Sequence, residues 1–257
     1  GYEEIVLFTN GVRLRSPRFV EQVLAHGERF VWRMSLQGGN EEAHDATVRR
    51  KGAFARILSG LAVLDELDQP ITCNLCVVRQ NYESLVDLPE LVRRFRIRQV
   101  HLDMVRPRDA GNRSEEYLDS LLPDYSDLAR VLRRMLADFE SMDPAFDVNV
   151  GNLPYCLLPE WAHKVHHDGE RTYTVAVDGM DRLSEAWDKY EDKRTDKLKL
   201  DSCADCVFDD RCSGFFDLYA RLRGVVEFRP VKQERLQEID PGQRLFGLHV
   251  EPALEAA

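Results

Sequence analysis

Six cysteines carry most of the chemistry that the sequence offers, and their spacing sorts them into two sets. Cys203, Cys206 and Cys212 form a Cys-x2-Cys-x5-Cys cluster just before an aromatic stretch with Phe215, Phe216, Leu218 and Tyr219. Two cysteines three residues apart reach one metal centre from a tight turn, and a third reaches it from the following loop. Cys156, after the last predicted strand, supplies a fourth thiolate. Four thiolates satisfy tetrahedral zinc or a four-iron four-sulfur cluster, and spacing alone leaves the two level. A disulfide is disfavoured in a reducing compartment. His163, His166 and His167 follow Cys156 closely, and one of them could replace a thiolate. Because four cysteines already complete a site, these histidines read as surface residues. Cys73 and Cys76 also show CxxC spacing, but in a strand-like run an offset of three puts them on opposite faces. Cys73 reads as a small core residue and Cys76 as a residue touching the interior face, with no ligand role for either.

The elements that must position these groups alternate. Strands are predicted at 4–9, 30–37, 70–78, 97–105 and 145–151, and helices at 17–26, 48–67, 83–95 and 124–142. Strand alternating with helix indicates parallel βαβ units. Asn10-Gly11, Gly38-Gly39 and Pro107 punctuate the strand ends as βα loops would. Parallel strands covered on both faces read as unbroken apolar runs, but these alternate. Trp32, Met34 and Leu36 share one face, against Arg33, Ser35 and Gln37 on the other. Cys73, Leu75 and Val77 oppose Thr72, Asn74 and Cys76; Val100, Leu102 and Met104 oppose Gln99, His101 and Asp103. Phe146, Val148 and Val150 oppose Asp147 and Asn149. Helices would cover the apolar face and leave a polar lumen, with a ligand site at the strands' carboxyl ends. A solvated, functionless sheet face is the alternative, disfavoured because βαβ connections normally bury both faces.

The chain of 257 residues is 44% hydrophobic and 31% charged, which suits a soluble protein of one large domain with a smaller appendage. No run approaches roughly eighteen consecutive apolar residues, and the start lacks a basic-then-apolar leader, so neither a membrane span nor a signal peptide is expected. A formal charge of −10 argues against nucleic-acid binding as the main task. Cysteines without a leader point to a reducing, cytoplasmic setting. The run from Asp188 to Asp201 is densely charged with mixed sign, as in a solvated helix or tether. The chain opens on Gly1 and enters a strand at once, which reads as a cut inside a domain.

Leu7-Phe8-Thr9-Asn10-Gly11 resembles the second strand of radical S-adenosylmethionine (radical SAM) barrels, which commonly ends in TNG. Ser35-Leu36-Gln37-Gly38, then His44-Asp45 and Gly52-Ala53-Phe54, looks like that superfamily's third strand and the loop-helix after it. Thr72 to Val78 with Asn81 is similar to its "N-x-V-V…N" strand. Cys-x2-Cys-x5-Cys-x-Gly with Tyr219, Gly224 and Glu227 resembles its SPASM/twitch extensions. These matches run from about residue 5 to about residue 230, and their order and spacing give them specificity.

The resemblance implies an α/β fold: an incomplete parallel (β/α)6-type partial TIM barrel lacking its first strand over residues 1–151. A small α+β cysteine-rich domain over 152–257 would follow it. The superfamily's defining CxxxCxxC loop does not occur in this sequence, and the expectation is a truncated chain whose parent generates the radical while this chain alone does not. The position four after Cys212, a cysteine in the full SPASM pattern, is Phe216, so one auxiliary 4Fe–4S cluster on Cys156, Cys203, Cys206 and Cys212 is implied. S-adenosylmethionine and a second 4Fe–4S cluster belong to the parent. By the same resemblance Thr9, Asn10, Ser35 and Asn74 fall where strands contact S-adenosylmethionine, though Asn10 reads equally well as a plain Asn-Gly turn. His101 and Asp103 are lumen candidates for facing substrate, with no catalytic residue assigned. The loop from Arg106 to Arg113 would bind a carboxylate or phosphate, or else be solvated. Implied partners are a peptide or small-molecule substrate and a reductant such as ferredoxin or flavodoxin. The competing reading is a non-enzymatic, zinc-stapled scaffold that keeps the barrel.

Overall fold

The computed structural model describes residues 4–27, 29–111, 113–166, 173–175, 180, 182–188 and 195–241. The chain divides into two compact units, Gly1–Val105 with Ser120–Gly151 and Arg106–Asp119 with Asn152–Ala257.

In the first unit β1 (Ile5–Thr9), β2 (Phe30–Ser35), β3 (Ile71–Val77), β4 (Gln99–Met104) and β5 (Asp147–Gly151) pair in parallel and in chain order. The predicted class and strand sequence therefore hold, with strand ends trimmed by one or two residues. Burial alternates strictly along β2 and β4, so the two-residue period does sort each strand into a core face and a polar face. Trp32, Met34, Cys73, Leu75, Val100, Leu102, Val148 and Val150 are all at most 2% exposed.

Helices α1 (Pro17–Leu24), α3 (Ala53–Glu66), α4 (Leu88–Phe95) and α6 (Tyr125–Met142) bring the complementary apolar surface. In α6, Leu128, Leu132, Met135, Leu136 and Phe139 recur at helical spacing and are buried. Each such side chain contributes roughly 1.5–3 kcal/mol on burial. Asp124 caps α6 by accepting the N–H groups of Ser126 and Asp127.

Two helical predictions need correction. The helix expected over 48–67 starts later, as α3, and an unanticipated helix α2 (Glu41–Val48) precedes it, the two separated because Arg49 and Gly52 both adopt left-handed backbone. Asn40 starts α2 by accepting the Ala43 N–H, and Glu41 and Glu42 complement the helix dipole. Helix α5 (Glu115–Leu121) was not anticipated; it buries no residue and so leaves no apolar stripe to read.

Asn81 holds the carboxyl ends of β2 and β3 together. Its side chain, 1% exposed with the residue, accepts the Val78 N–H at 2.9 Å and donates to the carbonyls of Gln37 at 3.1 Å and Cys76 at 2.9 Å. Ser84 donates to the Asn81 carbonyl at 2.7 Å and accepts the Gly39 N–H at 3.0 Å. A Cβ at Gly39 would lie 2.0 Å from the Ser84 carbonyl oxygen, so only glycine permits this approach.

The second unit is built from short pieces. Strands Lys197–Leu198 and Phe215–Phe216 pair antiparallel, followed by the helices Asp217–Arg223 and Gln233–Ile239. Its core stacks Phe215 on Phe228 at 3.9 Å and Tyr155 on Phe208 at 4.7 Å between centroids. Tyr219 donates to Glu227 at 2.5 Å, and Gly224, with φ +84°, closes the helix. The resembling Tyr219, Gly224 and Glu227 thus act as a local brace. Of the charged run, residues 189–194 lie outside the described residues, and its end is a turn and a strand, not a helix.

Replacing Asn81 by alanine strands one N–H and two carbonyls in a buried corner, at about 1–3 kcal/mol for each group that water cannot reach. N81A is expected to lose roughly 2–4 kcal/mol in urea unfolding of the chain. A loss below about 1 kcal/mol would mean that the clamp is dispensable.

Candidate functional site

The polar face of the sheet is organised in rows, because parallel strands in register put side chains of one parity side by side. One row runs Arg33, Thr72, Gln99, Asp147, and the next runs Ser35, Asn74, His101, Asn149. Asp103 is in register with Cys76 and Gly151 in the row beyond. The rows are cross-linked. Arg33 donates to Thr72 at 3.2 Å and to Gln99 at 2.9 Å, Gln99 donates to Asp147 at 2.5 Å, and Asn149 donates to Asp147 at 3.3 Å. His101 bridges them, its Nδ1 bonded to Asn149 and its Nε2 lying 3.0 Å from Asp103. Burial pulls the His101 imidazole down, but the bond to and charge of Asp103, with the Asn149 contact, outweigh it and leave the pKa raised.

Four residues were expected near S-adenosylmethionine, and the structure brings only two of them together. Ser35 and Asn74 are half-buried register partners on the polar face. Thr9 is in register with Met34 and therefore belongs to the helix-covered face, where its Oγ1 accepts the Gly11 N–H at 3.1 Å. Asn10 is exposed and accepts the Val12 N–H at 3.2 Å, as a turn asparagine does. Cys73 lies on the core face, where burial pushes its thiol up to about 12, and Cys76 is half-buried on the polar face.

The resembling loop after β2 is a hydrogen-bonded knot. His44 accepts the Gln37 N–H on Nδ1 at 3.0 Å and packs 5.6 Å from the Phe54 ring. Asp45 accepts the N–H groups of Gly52 and, at 2.8 Å, Phe54, and these bonds, the one from Phe54 first, hold its carboxyl below the usual range. These residues fix the loop at the strand's carboxyl end.

Arginines of the Arg106–Arg113 loop are also committed, within the second unit. Arg106 donates from Nε to Asp196 at 3.0 Å, and that carboxylate is 1% exposed. Arg108 donates to Thr195 at 3.0 Å, and Arg113 stacks 5.6 Å from Tyr117. Asn112 lies outside the described residues. This loop is a structural tie.

The second unit gathers the other four cysteines. Cys156, Cys203, Cys206 and Cys212 line one small pocket together with Tyr155, Phe208 and Phe215. Cys156 belongs to the one-turn helix Tyr155–Leu157 and Cys203 to the helical turn Asp201–Asp205. Cys206 accepts the Val231 N–H at 3.3 Å and Cys212 the Gly214 N–H at 3.4 Å. A Cβ at Gly214, whose φ is +86°, would lie 1.9 Å from the Leu198 carbonyl oxygen, so the donor to Cys212 requires glycine. Burial, with repulsion from Cys212, Cys206 and Cys203, pushes the Cys156 thiol up to about 12. Burial likewise raises Cys212. Among the described residues no three His, Cys, Asp or Glu close to the spacing of a single ion. Thiolates at about 2.3 Å from one zinc would lie about 3.8 Å apart, whereas thiolates on separate irons of a cluster stand wider. Convergent thiols, an enclosed apolar wall and N–H donors aimed at sulfur fit such a cluster. Phe216, at the position of a further SPASM cysteine, is a fully buried core residue. His163 is not part of the pocket lining; its ring is 6.0 Å from Trp161. The side chain of His166 and all of His167 lie outside the described residues.

Sequence reasoning did not single out Arg33, Gln99 and Asn149 as a linked set, although their parity in the strands was the signal. It also passed over Lys199 and Asp209, which reach the cysteine pocket from the charged run and from between the cysteines.

No protein-family model matches the chain. Over 112 residues it is 34% identical to the AdoMet-dependent heme synthase of Methanosarcina barkeri, covering 44% of this chain and 32% of that protein. The chain thus spans about a third of the length of this curated relative. The crystal structure of Streptococcus suis SuiB bound to S-adenosylmethionine superposes with a TM-score of 0.50 at 14% identity, over 90% of this chain and 59% of SuiB. SuiB bound to precursor peptide SuiA superposes with a TM-score of 0.45 at 17% identity, over 61% and 34% of the two chains. The S-adenosylmethionine-bound structure shares the fold of this chain.

His44 yields a prediction. Burial, against the opposing charge of Asp45, lowers its pKa below the ordinary 6.5, and its Nδ1 must stay unprotonated to accept the Gln37 N–H. The neutral ring's contribution to stability is complete above pH 6.5 and is lost as pH falls from there through the lower folded pKa. The Tm of the wild type should fall across that window more steeply than the Tm of H44Q. Parallel Tm–pH curves for the two proteins would overturn the assignment.

Proposed function

We propose that this chain, a member of the radical SAM superfamily, works in a redox enzyme that holds its substrate against the polar sheet face and carries one auxiliary 4Fe–4S cluster on Cys156, Cys203, Cys206 and Cys212. The observation that carries this reading is the convergence of the four thiols on one enclosed pocket, with backbone N–H groups aimed at two of the sulfurs. Such a cluster supplies a one-electron carrier or a site for a substrate ligand when bound. S-adenosylmethionine, held at a second cluster, would supply the radical chemistry.

The chain's own residues then have defined tasks. Ser35 and Asn74 offer a hydroxyl and an amide, side by side, to the polar parts of S-adenosylmethionine. Asp103 and Asn149 orient the His101 ring, whose raised affinity for a proton lets it accept one from a substrate bound on this face. Asp45, His44, Asn81 and Ser84 keep the strand-end loops fixed. The substrate is a peptide or a small molecule, the electron donor is a ferredoxin or flavodoxin, and the compartment is the reducing cytoplasm.

The second reading, a zinc-stapled scaffold, draws on the same four thiols. Anaerobic iron–sulfur reconstitution of the chain, with metal and sulfide analysis and a visible spectrum, separates the two. About four irons and four sulfides per chain are expected, with the chromophore lost in C203A and C206A. One tightly bound zinc and no chromophore would transfer the assignment to the scaffold.

A further inference from the structure

Lys199 is the one ammonium in the lining of the cysteine pocket, and it is held in place. Its Nζ donates to the Asp209 carbonyl at 2.6 Å and to Asp209 Oδ1 at 2.8 Å. The stem of Lys199 passes 3.3 Å from where a Cβ of Gly214 would stand, and Gly214 donates its N–H to Cys212. The cation is therefore fixed over the turn that carries Cys212. About a third of its side chain is exposed, so the charge is partly screened but its position is set.

We propose that Lys199 is a positioning charge for the cluster assigned above, raising the potential at which that cluster takes up an electron; this rests on the cluster reading. Uptake of one electron, from dithionite in the test, adds one negative charge to a centre already surrounded by four thiolates. A nearby cation stabilises the more negative, reduced form by more than the oxidised form, and so favours reduction. Lys197 donates to Ser213 at 2.8 Å and does not line the pocket, whereas Arg229 and Asp209 do, so Lys199 shares the lining with one further cation and with its own carboxylate partner.

The test is a dithionite titration of the reconstituted chain, followed by electron paramagnetic resonance, on wild type, K199M, K199Q and K199R. K51M, in the turn before α3 of the first unit, serves as a control. The midpoint should shift to lower potential in K199M and K199Q, return toward wild type in K199R, and stay unmoved in K51M. Equal midpoints in wild type, K199M and K199Q, each with a full complement of iron, would overturn the role of Lys199 and leave the cluster standing. A shift in K199R as large as in K199M would also overturn it, since size and not charge would then govern. A wild-type chain that assembles no iron–sulfur chromophore would remove the cluster reading and this inference together.

Discussion

A parallel strand that is apolar on one face only must find a partner for every polar group that it half-buries on the other. An unmet donor or acceptor costs about 1–3 kcal/mol, comparable with the gain from burying a whole aliphatic side chain. Here the partners come from neighbouring strands, because the parallel register aligns residues of like parity. Arg33 is satisfied by Thr72 and Gln99, Gln99 by Asp147, and His101 by Asn149 and Asp103. The polar rows thus hold the sheet together laterally while the apolar face holds it to the helices. Ser35 and Asn74 stand in the same row as His101, and that places them on a rigid, pre-ordered surface.

The second unit meets a different constraint, the convergence of four thiols in a space with little water. Two unit charges about 6 Å apart repel by about 3 kcal/mol at an effective dielectric of 20. Burial, with repulsion from the neighbouring cysteines, pushes Cys156 up to about 12, and burial raises Cys212. A metal centre would reverse that balance, since bound thiolates are deprotonated outright. The pocket is accordingly a place where metal binding, proton release and local packing are one event. Short strands and one-turn helices suffice around it because the ligands themselves would do the cross-linking.

The fold was legible to the extent that periodicity carried it. Alternation in β2 to β5 located the strands and both of their faces, and the spacing of Leu128, Leu132 and Phe139 located α6. What periodicity lacks is backbone sign. Arg49 in left-handed conformation ends α2 and delays the start of the helix predicted from residue 48, and no side-chain pattern announces it. The grouping of Cys203, Cys206 and Cys212 was legible from spacing, and the fold brings Cys156 to the same pocket. Thr9 shows the converse. Its motif, TNG, reads as ligand-facing, but register with Met34 sends it to the core side, and register belongs to the sheet and not to the segment.

Motif residues therefore divide by what their hydrogen bonds already do. Asn81, His44 and Asp45 spend side-chain groups on backbone N–H or carbonyl partners, and a ligand would have to break those bonds to use them. Ser35 and Asn74 are register partners in β2 and β3, half-buried on the polar face of the sheet. A resemblance carried by both kinds of residue consequently says two things at once. The first kind preserves the shape of the strand ends, and the second kind preserves the chemistry offered there. Substitutions in the first kind should appear as lost stability, and those in the second as lost binding in a protein that still folds. Cys156, Cys203, Cys206 and Cys212 belong to both kinds, since the group they would hold is also what closes the second unit around itself.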